Sequence, residues 1–168
     1  EIQLKGSGLT PFSRPGSDGL GAIGPMLREY LISEFMHAIG IPTTRSLAVL
    51  RTGETVVRQQ GPVPAGIVVR VATSHLRVGS LQYAAQQSRD LVGDVIAAAG
   101  FDGPAELLDT VIDRQIDLVN RWMRVGFVHG VMNTDNVALS GETIDYGPCA
   151  FTQRFDGCLL YTSDAADE

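Results

Sequence analysis

The chain has 168 residues, of which 44% are hydrophobic and 19% charged, and this composition is typical of one soluble globular domain. It contains no apolar run of the ~20 residues that a membrane-spanning helix needs, and its net charge of −6 argues against a nucleic-acid-binding surface. The two cysteines, Cys149 and Cys158, have neither metal-site spacing nor the number of a disulfide framework. We therefore expect a monomer that binds neither nucleic acid nor membrane.

The first predicted element is a strand over Ile2–Lys5, where apolar and polar residues alternate. A long loop rich in Gly, Pro and Ser follows, from Gly6 to Gly24. A helix is then predicted from Pro25 to Ile39, with Gly40 just beyond its end. Helical spacing predicts that one apolar stripe of this helix is buried, formed by Leu27, Tyr30, Leu31, Phe35 and Ala38.

Two glutamates of this helix are candidates for pairing with a cation. Glu29 lies off the apolar stripe, and Glu34 follows five residues later, about 140° around the helix. The alternative is that both carboxylates are simply solvated, as most acidic side chains are.

A hairpin is predicted next, because two β-rich segments, 46–50 and 54–58, flank Thr52 and Gly53. Residues 61–64, with two prolines, are expected to interrupt it, and a further strand is predicted over 66–72. Arg70 lies between two valines of that strand, so its burial would require a partner. Arg77 follows seven residues later. Two more helices are predicted, over 81–99 and 104–125, and the second is expected to bury Leu107, Leu108, Val111, Ile112, Leu118, Val119 and Trp122.

The segment from His129 to Asn136 precedes Asp145-Tyr-Gly by nine residues. Residues 137–144 between them favour two short strands around a glycine turn. Such a turn would bring Asn136 and Asp145 together, and their oxygens would suit a hard divalent cation that carries phosphate. Ordinary Asx-turn chemistry is the alternative interpretation of these residues.

The order of these groups resembles the catalytic apparatus of protein kinases, H-R-D-x-x-x-x-N followed by D-F-G. On that pattern His129, Asn136 and Asp145 occupy the His, Asn and second Asp places. Val131 stands where kinases have the catalytic base, and Asp135 is the nearest replacement carboxylate. The metal-binding half of a kinase-type site is therefore predicted, without the usual base.

Six sequence blocks extend this similarity: 3–11, 28–34, 40–45, 74–79, 129–136 and 141–151. Together they resemble the selenoprotein O (YdiU) family, kinase-fold proteins that transfer AMP rather than phosphate to protein hydroxyls. The resemblance covers residues 1–156 and implies an α+β, protein-kinase-like fold that is partial: the N-lobe from its third strand onward and the start of the C-lobe. The Gly-rich loop that precedes this strand in kinases is missing, so a fragment is expected. Residues 157–168 lie outside the resemblance and look like out-of-frame or adaptor-derived translation.

The resemblance also implies a role for each candidate residue in a reaction that uses ATP with Mg²⁺ or Mn²⁺. Lys5, paired with Glu29, would contact phosphate, Arg70 and Arg77 would hold the leaving pyrophosphate, and Asp18 and Gly19 would contact the nucleotide. Asn136 and Asp145 would bind the metal, with Asp145 also facing ATP, and Asp135 would act as the catalytic base. The segment 14–18 departs from the family by one additional residue, and a structural ion pair is the alternative role for Arg70.

The predicted activity is AMP transfer from ATP to Ser, Thr or Tyr hydroxyls of protein substrates. The alternatives are an ordinary protein kinase and a non-catalytic ATP-binding pseudokinase. The resemblance places bacterial members in the cytoplasm and eukaryotic relatives in mitochondria.

Overall fold

The computed structural model describes residues 1–13, 16–59 and 61–154. These ranges form an α+β structure in which a three-stranded antiparallel sheet is followed by a mainly helical half. In chain order the elements are β1 (Ile2–Lys5), α1 (Ile23–Ala38), β2 (Arg45–Arg58), β3 (Gly61–Val71), α2 (Val78–Gln87), α3 (Arg89–Ala98), α4 (Pro104–Val125), β4 (Phe127–Val128), a 3₁₀ turn (Thr134–Asn136) and β5 (Ala150–Phe151). The proposed tail at 157–168 lies outside the described residues.

The sheet has the strand order β1-β3-β2, so β3 is central. Gln3 lies opposite Arg70 on one side, and Ser46 lies opposite Arg70 on the other. Helix α1 packs on this sheet, and the buried hydroxyls of Ser33 and Ser46 are hydrogen-bonded at 2.9 Å. The register therefore places residues from all three strands beneath one helix.

The predicted hairpin at Thr52 and Gly53 is wrong. Strand β2 continues through both residues as far as Arg58, with a register shift between Arg51 and Thr55. A bulge accommodates the extra residues, as Gly53 with its φ of +85° allows. Residues 61–64, expected to interrupt the hairpin, are instead the first residues of β3. Strand β1 pairs only with the later part of β3, so the missing N–H groups of the two prolines break no ladder bond on that side.

The predicted buried stripe of α1 is also wrong, because the helix turns another face to the sheet. Its buried residues are Met26, Glu29, Ser33 and Met36. Three stripe residues are about half exposed: Leu27 at 48%, Leu31 at 63% and Phe35 at 47%. The two polar residues of this face, Glu29 and Ser33, can be buried because the sheet supplies cationic and hydroxyl partners for them.

Two hydrophobic clusters hold the helical half together. The first contains Met36, Ile41, Leu118, Trp122, Phe127 and Tyr146, and the second contains Ile96, Leu107, Val111 and Leu139. The burial of Leu107, Val111, Leu118 and Trp122 on α4 is confirmed. Leu108 and Ile112, in contrast, are 57% and 46% exposed, so their predicted burial is wrong.

The single helix predicted over 81–99 is two helices in the structure. Ser88 adopts an extended conformation between α2 and α3, and its hydroxyl accepts a hydrogen bond from Leu91 N at 3.1 Å. Serine is a preferred N-cap because its side chain satisfies one of the free amides of the first helical turn. No helix within the described ranges combines the length and apolarity that crossing a membrane requires.

Residues 137–144 do not form the predicted pair of strands. Gly141 N closes a turn onto Ala138 O at 3.1 Å, but each side of the turn pairs elsewhere. Ala138 pairs with Arg77, and Thr143 pairs with Thr43. The segment thus joins the helical half to the sheet half, immediately before Asp145.

Candidate functional site

A buried carboxylate, Glu29, joins β1, α1 and β3. The residue is 1% exposed, and its Oε2 accepts hydrogen bonds from Lys5 Nζ and Arg70 Nη2, both at 2.9 Å. Arg70 Nε donates to Oε1 of the same group. Burial alone would raise the pKa of Glu29, but Arg70 and Lys5 outweigh it and lower the pKa. Glu29 is therefore ionised and fixes two cations in place.

Glu29, not Glu34, is the partner of Lys5. Glu34 forms a separate ion pair with Arg45, with Nη2 to Oε2 at 2.6 Å, on the exposed side of α1. The buried Arg70, 2% exposed, has the partner that its position between two valines required.

Asp145 lies on the other side of Lys5. Its Oδ1 is 2.6 Å from Lys5 Nζ and 3.9 Å from Arg70 Nη2. Burial would raise the pKa of Asp145, but Lys5 and Arg70 lower it to about 2. Among the described residues, Asp145 is the one non-glycine residue with positive φ, at +67°, which an aspartate tolerates better than most side chains do.

The residue after Asp145 anchors this backbone in the core. Tyr146 is fully buried, its ring packs against Phe127 with centroids 5.8 Å apart, and its hydroxyl is hydrogen-bonded to that of Thr43. Burial is the main cause that raises the pKa of Tyr146. Arg28 donates to the Gly147 carbonyl from α1. The position of Asp145 is thus set by contacts on both sides of the site.

Two arginines share one uncharged acceptor. Gln3 Oε1 accepts from Arg70 Nη1 at 3.0 Å and from Arg77 Nη2 at 3.1 Å. Arg77 Nη1 also donates to the Asp135 carbonyl at 3.0 Å. Sequence reasoning missed Gln3, although its position two residues before Lys5 on a strand places both side chains on one face.

His75 lies close to the same arginines. Both of its ring nitrogens are buried and have no hydrogen-bond partner within the described ranges. Burial, followed by Arg70 and Arg77, lowers the pKa of His75, which favours a neutral ring.

The loop that carries Asp135 is braced by its own side chains. Asn133 Oδ1 accepts from Asp135 N at 3.0 Å, and Asn136 Nδ2 donates to Val131 O at 2.9 Å. His129 Nδ1 accepts from Val131 N, so its Nε2 is the atom that donates to Ile144 O at 2.8 Å. This bond ties the loop to the residue before Asp145, so His129 braces the loop backbone.

The donor set fits a hard cation that is held partly by a nucleotide. The described residues contain no group of three or more His, Cys, Asp or Glu side chains that could hold a metal by themselves. Mg²⁺, however, is commonly bound by one or two protein oxygens together with phosphate oxygens and water. The Asn136 amide nitrogen donates to Val131 O, so its carboxamide oxygen is the atom that could bind a cation, and Asp145 carries an ionised carboxylate.

Within the described ranges, Asp18 and Gly19 form no hydrogen bond or ion pair with these residues. The Asp18 carboxylate accepts from Arg58 Nη1 at 2.8 Å and from Nη2 at 3.2 Å, close to the turn between β2 and β3. Gly19 has a φ of +65°, and a Cβ there would lie 2.3 Å from Gly8 carbonyl atoms. Within the described residues, the polar partners of Lys5 are Glu29 and Asp145 and do not include Asp18. Residues 14 and 15, in the segment with the additional residue, lie outside them.

Taken together, Lys5, Arg70 and Arg77 lie beside the ionised Asp145 and the loop of Asp135. Cations that converge beside a carboxylate are the groups that proteins commonly use, together with a metal ion, to hold the phosphates of a nucleotide. The arrangement could therefore hold a polyphosphate.

Comparison with known proteins identifies the family. The family model described as "Protein adenylyltransferase SelO" matches residues 1–168, and the chain belongs to this family. It is 56% identical over 174 residues to the "Protein nucleotidyltransferase YdiU" of Geobacillus kaustophilus and 55% identical over 174 residues to that of Cereibacter sphaeroides. The corresponding protein of Mycolicibacterium paratuberculosis is 53% identical over 174 residues. These alignments cover 97% of this chain but only 35–36% of each relative, so the chain spans about a third of their length.

Proposed function

We propose that this chain carries the nucleotide-binding part of a protein adenylyltransferase, which moves AMP from ATP to a Ser, Thr or Tyr hydroxyl of a protein substrate. Membership of the SelO family and the names of its relatives as protein nucleotidyltransferases support the reaction class. The order of strand, helix, two strands and then helices supports the finer proposal of a partial kinase-like fold.

The single observation that carries the proposal is the convergence of Lys5, Arg70 and Arg77 around two ionised carboxylates. Glu29 holds Lys5 and Arg70 at their places, and Asp145 lies 2.6 Å from the lysine. Phosphoryl chemistry depends chiefly on positioning and on electrostatic stabilisation, which these groups supply.

In the proposed reaction, the hydroxyl oxygen of the substrate attacks the α-phosphorus of ATP. The bond from the α-phosphorus to the bridging oxygen breaks, and pyrophosphate leaves with the electron pair. Asp135 accepts the hydroxyl proton, and Arg70 and Arg77 stabilise the charge on the departing pyrophosphate.

The remaining groups hold the nucleotide. Lys5 neutralises phosphate oxygens, while the oxygens of Asn136 and Asp145 would hold Mg²⁺ or Mn²⁺, which would neutralise further phosphate charge. Asp18 and Gly19 remain proposed nucleotide contacts. Contact with ATP would require the Asp18 carboxylate to leave Arg58 or the nucleotide to reach it there.

Transfer of label from ATP tests this function. The chain is incubated with Mn²⁺, a mixture of protein acceptors and ATP labelled on either the α- or the γ-phosphorus, with Geobacillus kaustophilus YdiU as a parallel reaction. Protein-bound α-label without γ-label supports AMP transfer. Protein-bound γ-label would establish phosphotransfer instead.

A matched pair of variants separates catalysis from scaffolding. Asp145→Asn should abolish labelling, and Asp117→Asn, on the exposed side of α4 with Arg121, should not change it. Labelling that is indifferent to Asp145→Asn would overturn the proposed site. Tight ATP binding with no label in any protein would favour the non-catalytic alternative.

A further inference from the structure

Among the described residues, Gln3 is the one uncharged side chain that accepts hydrogen bonds from both arginines. Its Oε1 receives Arg70 Nη1 from β3 and Arg77 Nη2 from the N-cap position of α2. One oxygen atom therefore connects two cationic side chains that are carried by different elements.

We infer that Gln3 is a positioning residue that holds Arg70 and Arg77 together as one binding unit for the terminal phosphates of ATP. This inference rests on the proposed function, because it assigns a structural cause to the phosphate contacts proposed there. Two guanidinium groups repel each other, and a shared acceptor oxygen offsets this repulsion at a fixed separation.

The two arginines depend on Gln3 to different degrees. Glu29 holds Arg70 independently through Nε and Nη2, so this guanidinium would stay in place without Gln3. Arg77 has its other hydrogen bond to a backbone carbonyl, that of Asp135. Loss of Gln3 should therefore release Arg77 more than Arg70.

An amide suits this position better than a carboxylate does. Phosphate is expected to bind beside Lys5, Arg70 and Arg77, whose charges are already opposed by those of Glu29, Asp145 and Asp135. Glutamate at position 3 could accept the same two hydrogen bonds but would add a further negative charge there. Gln3→Met, which removes the acceptor, and Gln3→Glu, which keeps the acceptor but changes the charge, therefore distinguish the two effects.

Nucleotide binding to the 168-residue chain tests the inference. Dissociation constants for Mn·ATP and for AMP are measured by calorimetry with the wild type, Gln3→Met and Gln3→Glu. The control is Gln115→Met, because the Gln115 amide nitrogen donates to the Ala138 carbonyl rather than bridging the two arginines. Gln3→Met should weaken Mn·ATP binding about tenfold, or ~1.4 kcal/mol, and AMP binding by less than about twofold. Gln3→Glu should weaken Mn·ATP binding at least as much, and Gln115→Met should match the wild type.

The ratio of the ATP affinity to the AMP affinity distinguishes a specific effect from misfolding, because an unfolded variant would bind neither ligand. A second measurement needs no nucleotide: in side-chain nitrogen NMR, Gln3→Met should speed proton exchange at the Arg77 guanidinium and leave Arg70 nearly unchanged. Unchanged exchange at Arg77, or an unchanged ratio of ATP to AMP affinity, would overturn the role of Gln3.

The failure of the inference can be told apart from failure of the proposed function by two further variants. If Arg70→Met and Arg77→Met weaken Mn·ATP binding but Gln3→Met does not, only the inference falls. If neither arginine variant affects Mn·ATP binding, the proposed phosphate contacts fall, and the inference falls with them.

Discussion

Replacement of Glu29 by glutamine should destabilise the fold more than any other single charge removal on α1. The Glu29 side chain is 1% exposed and that of Arg70 is 3% exposed, so the substitution leaves a buried guanidinium facing a neutral amide. Removal of one partner from a buried ion pair typically costs ~3–5 kcal/mol. Since domains of this size are stable by only ~5–15 kcal/mol, the loss would be a large part of the total.

Urea denaturation measures this loss, with the fluorescence of the single tryptophan, Trp122, as the probe. Trp122 is 4% exposed and packs in the first hydrophobic cluster, so its emission should report unfolding of the core. In a thermal experiment the same loss corresponds to a decrease of roughly 6–20 °C in Tm, at about 2–4 °C per kcal/mol for a domain of this length.

Glu34→Gln is the matched control, because Glu34 is on the same helix and also pairs with an arginine through two oxygens. Its partner Arg45 has a side chain that is 44% exposed, and exposed ion pairs contribute little. Equal losses of unfolding free energy in Glu29→Gln and Glu34→Gln would refute the argument that burial of the Glu29 cluster sets its energetic weight.

Three further outcomes follow from the site. The pKa of Asp145 is about 2 in the folded state, against an ordinary value of 3.8, so this group stabilises the fold above about pH 4 and the stabilisation is lost as the pH falls to 2. Between pH 4 and pH 2, Asp145→Asn should therefore lose about 2 kcal/mol less unfolding free energy than the wild type, as acid titration would measure. Gly19→Ala, which places a methyl group against Gly8, should reduce hydrogen-exchange protection of the Gly8 amide, whereas Gly16→Ala, at φ +80° with open space, should not. Asp135→Asn should reduce AMP transfer by ~10²–10⁴-fold and leave ATP affinity unchanged, whereas Asp145→Asn should reduce both transfer and ATP affinity. Transfer and binding assays measure the two quantities, and equal losses of ATP affinity would contradict separate roles for Asp135 as base and Asp145 in nucleotide binding.

Local patterns predicted the elements whose form depends on neighbouring residues. The alternation over Ile2–Lys5 gave a correct strand, and helix α4 ends at Gly126 with a φ of +68°, as a C-terminal glycine suggests. The pairing of Lys5 with Glu29 came from a family resemblance, because spacing within one helix did not decide between Glu29 and Glu34.

Two of the errors have a common physical cause, since each depended on a partner distant in sequence. Helical periodicity assigned Leu31 to the core, but the sheet presents Lys5 and Arg70, so the helix buries Glu29 instead. The turn at Thr52 was predicted from local chemistry, yet pairing of β2 with β3 continues on both sides of it. The strand pattern places Gln3 on the same face as Lys5 but does not reveal its bridging role, because that role depends on two arginines that lie 67 and 74 residues away.

The sharing of one carboxylate by Lys5 and Arg70 has a consequence for mutational scans of this family. A substitution at either cation also alters the electrostatic environment of the other, so their measured effects should be strongly epistatic. An activity lost on replacing Lys5 would then combine a missing nucleotide contact with a rearranged arginine, and only a double-mutant cycle could separate the two.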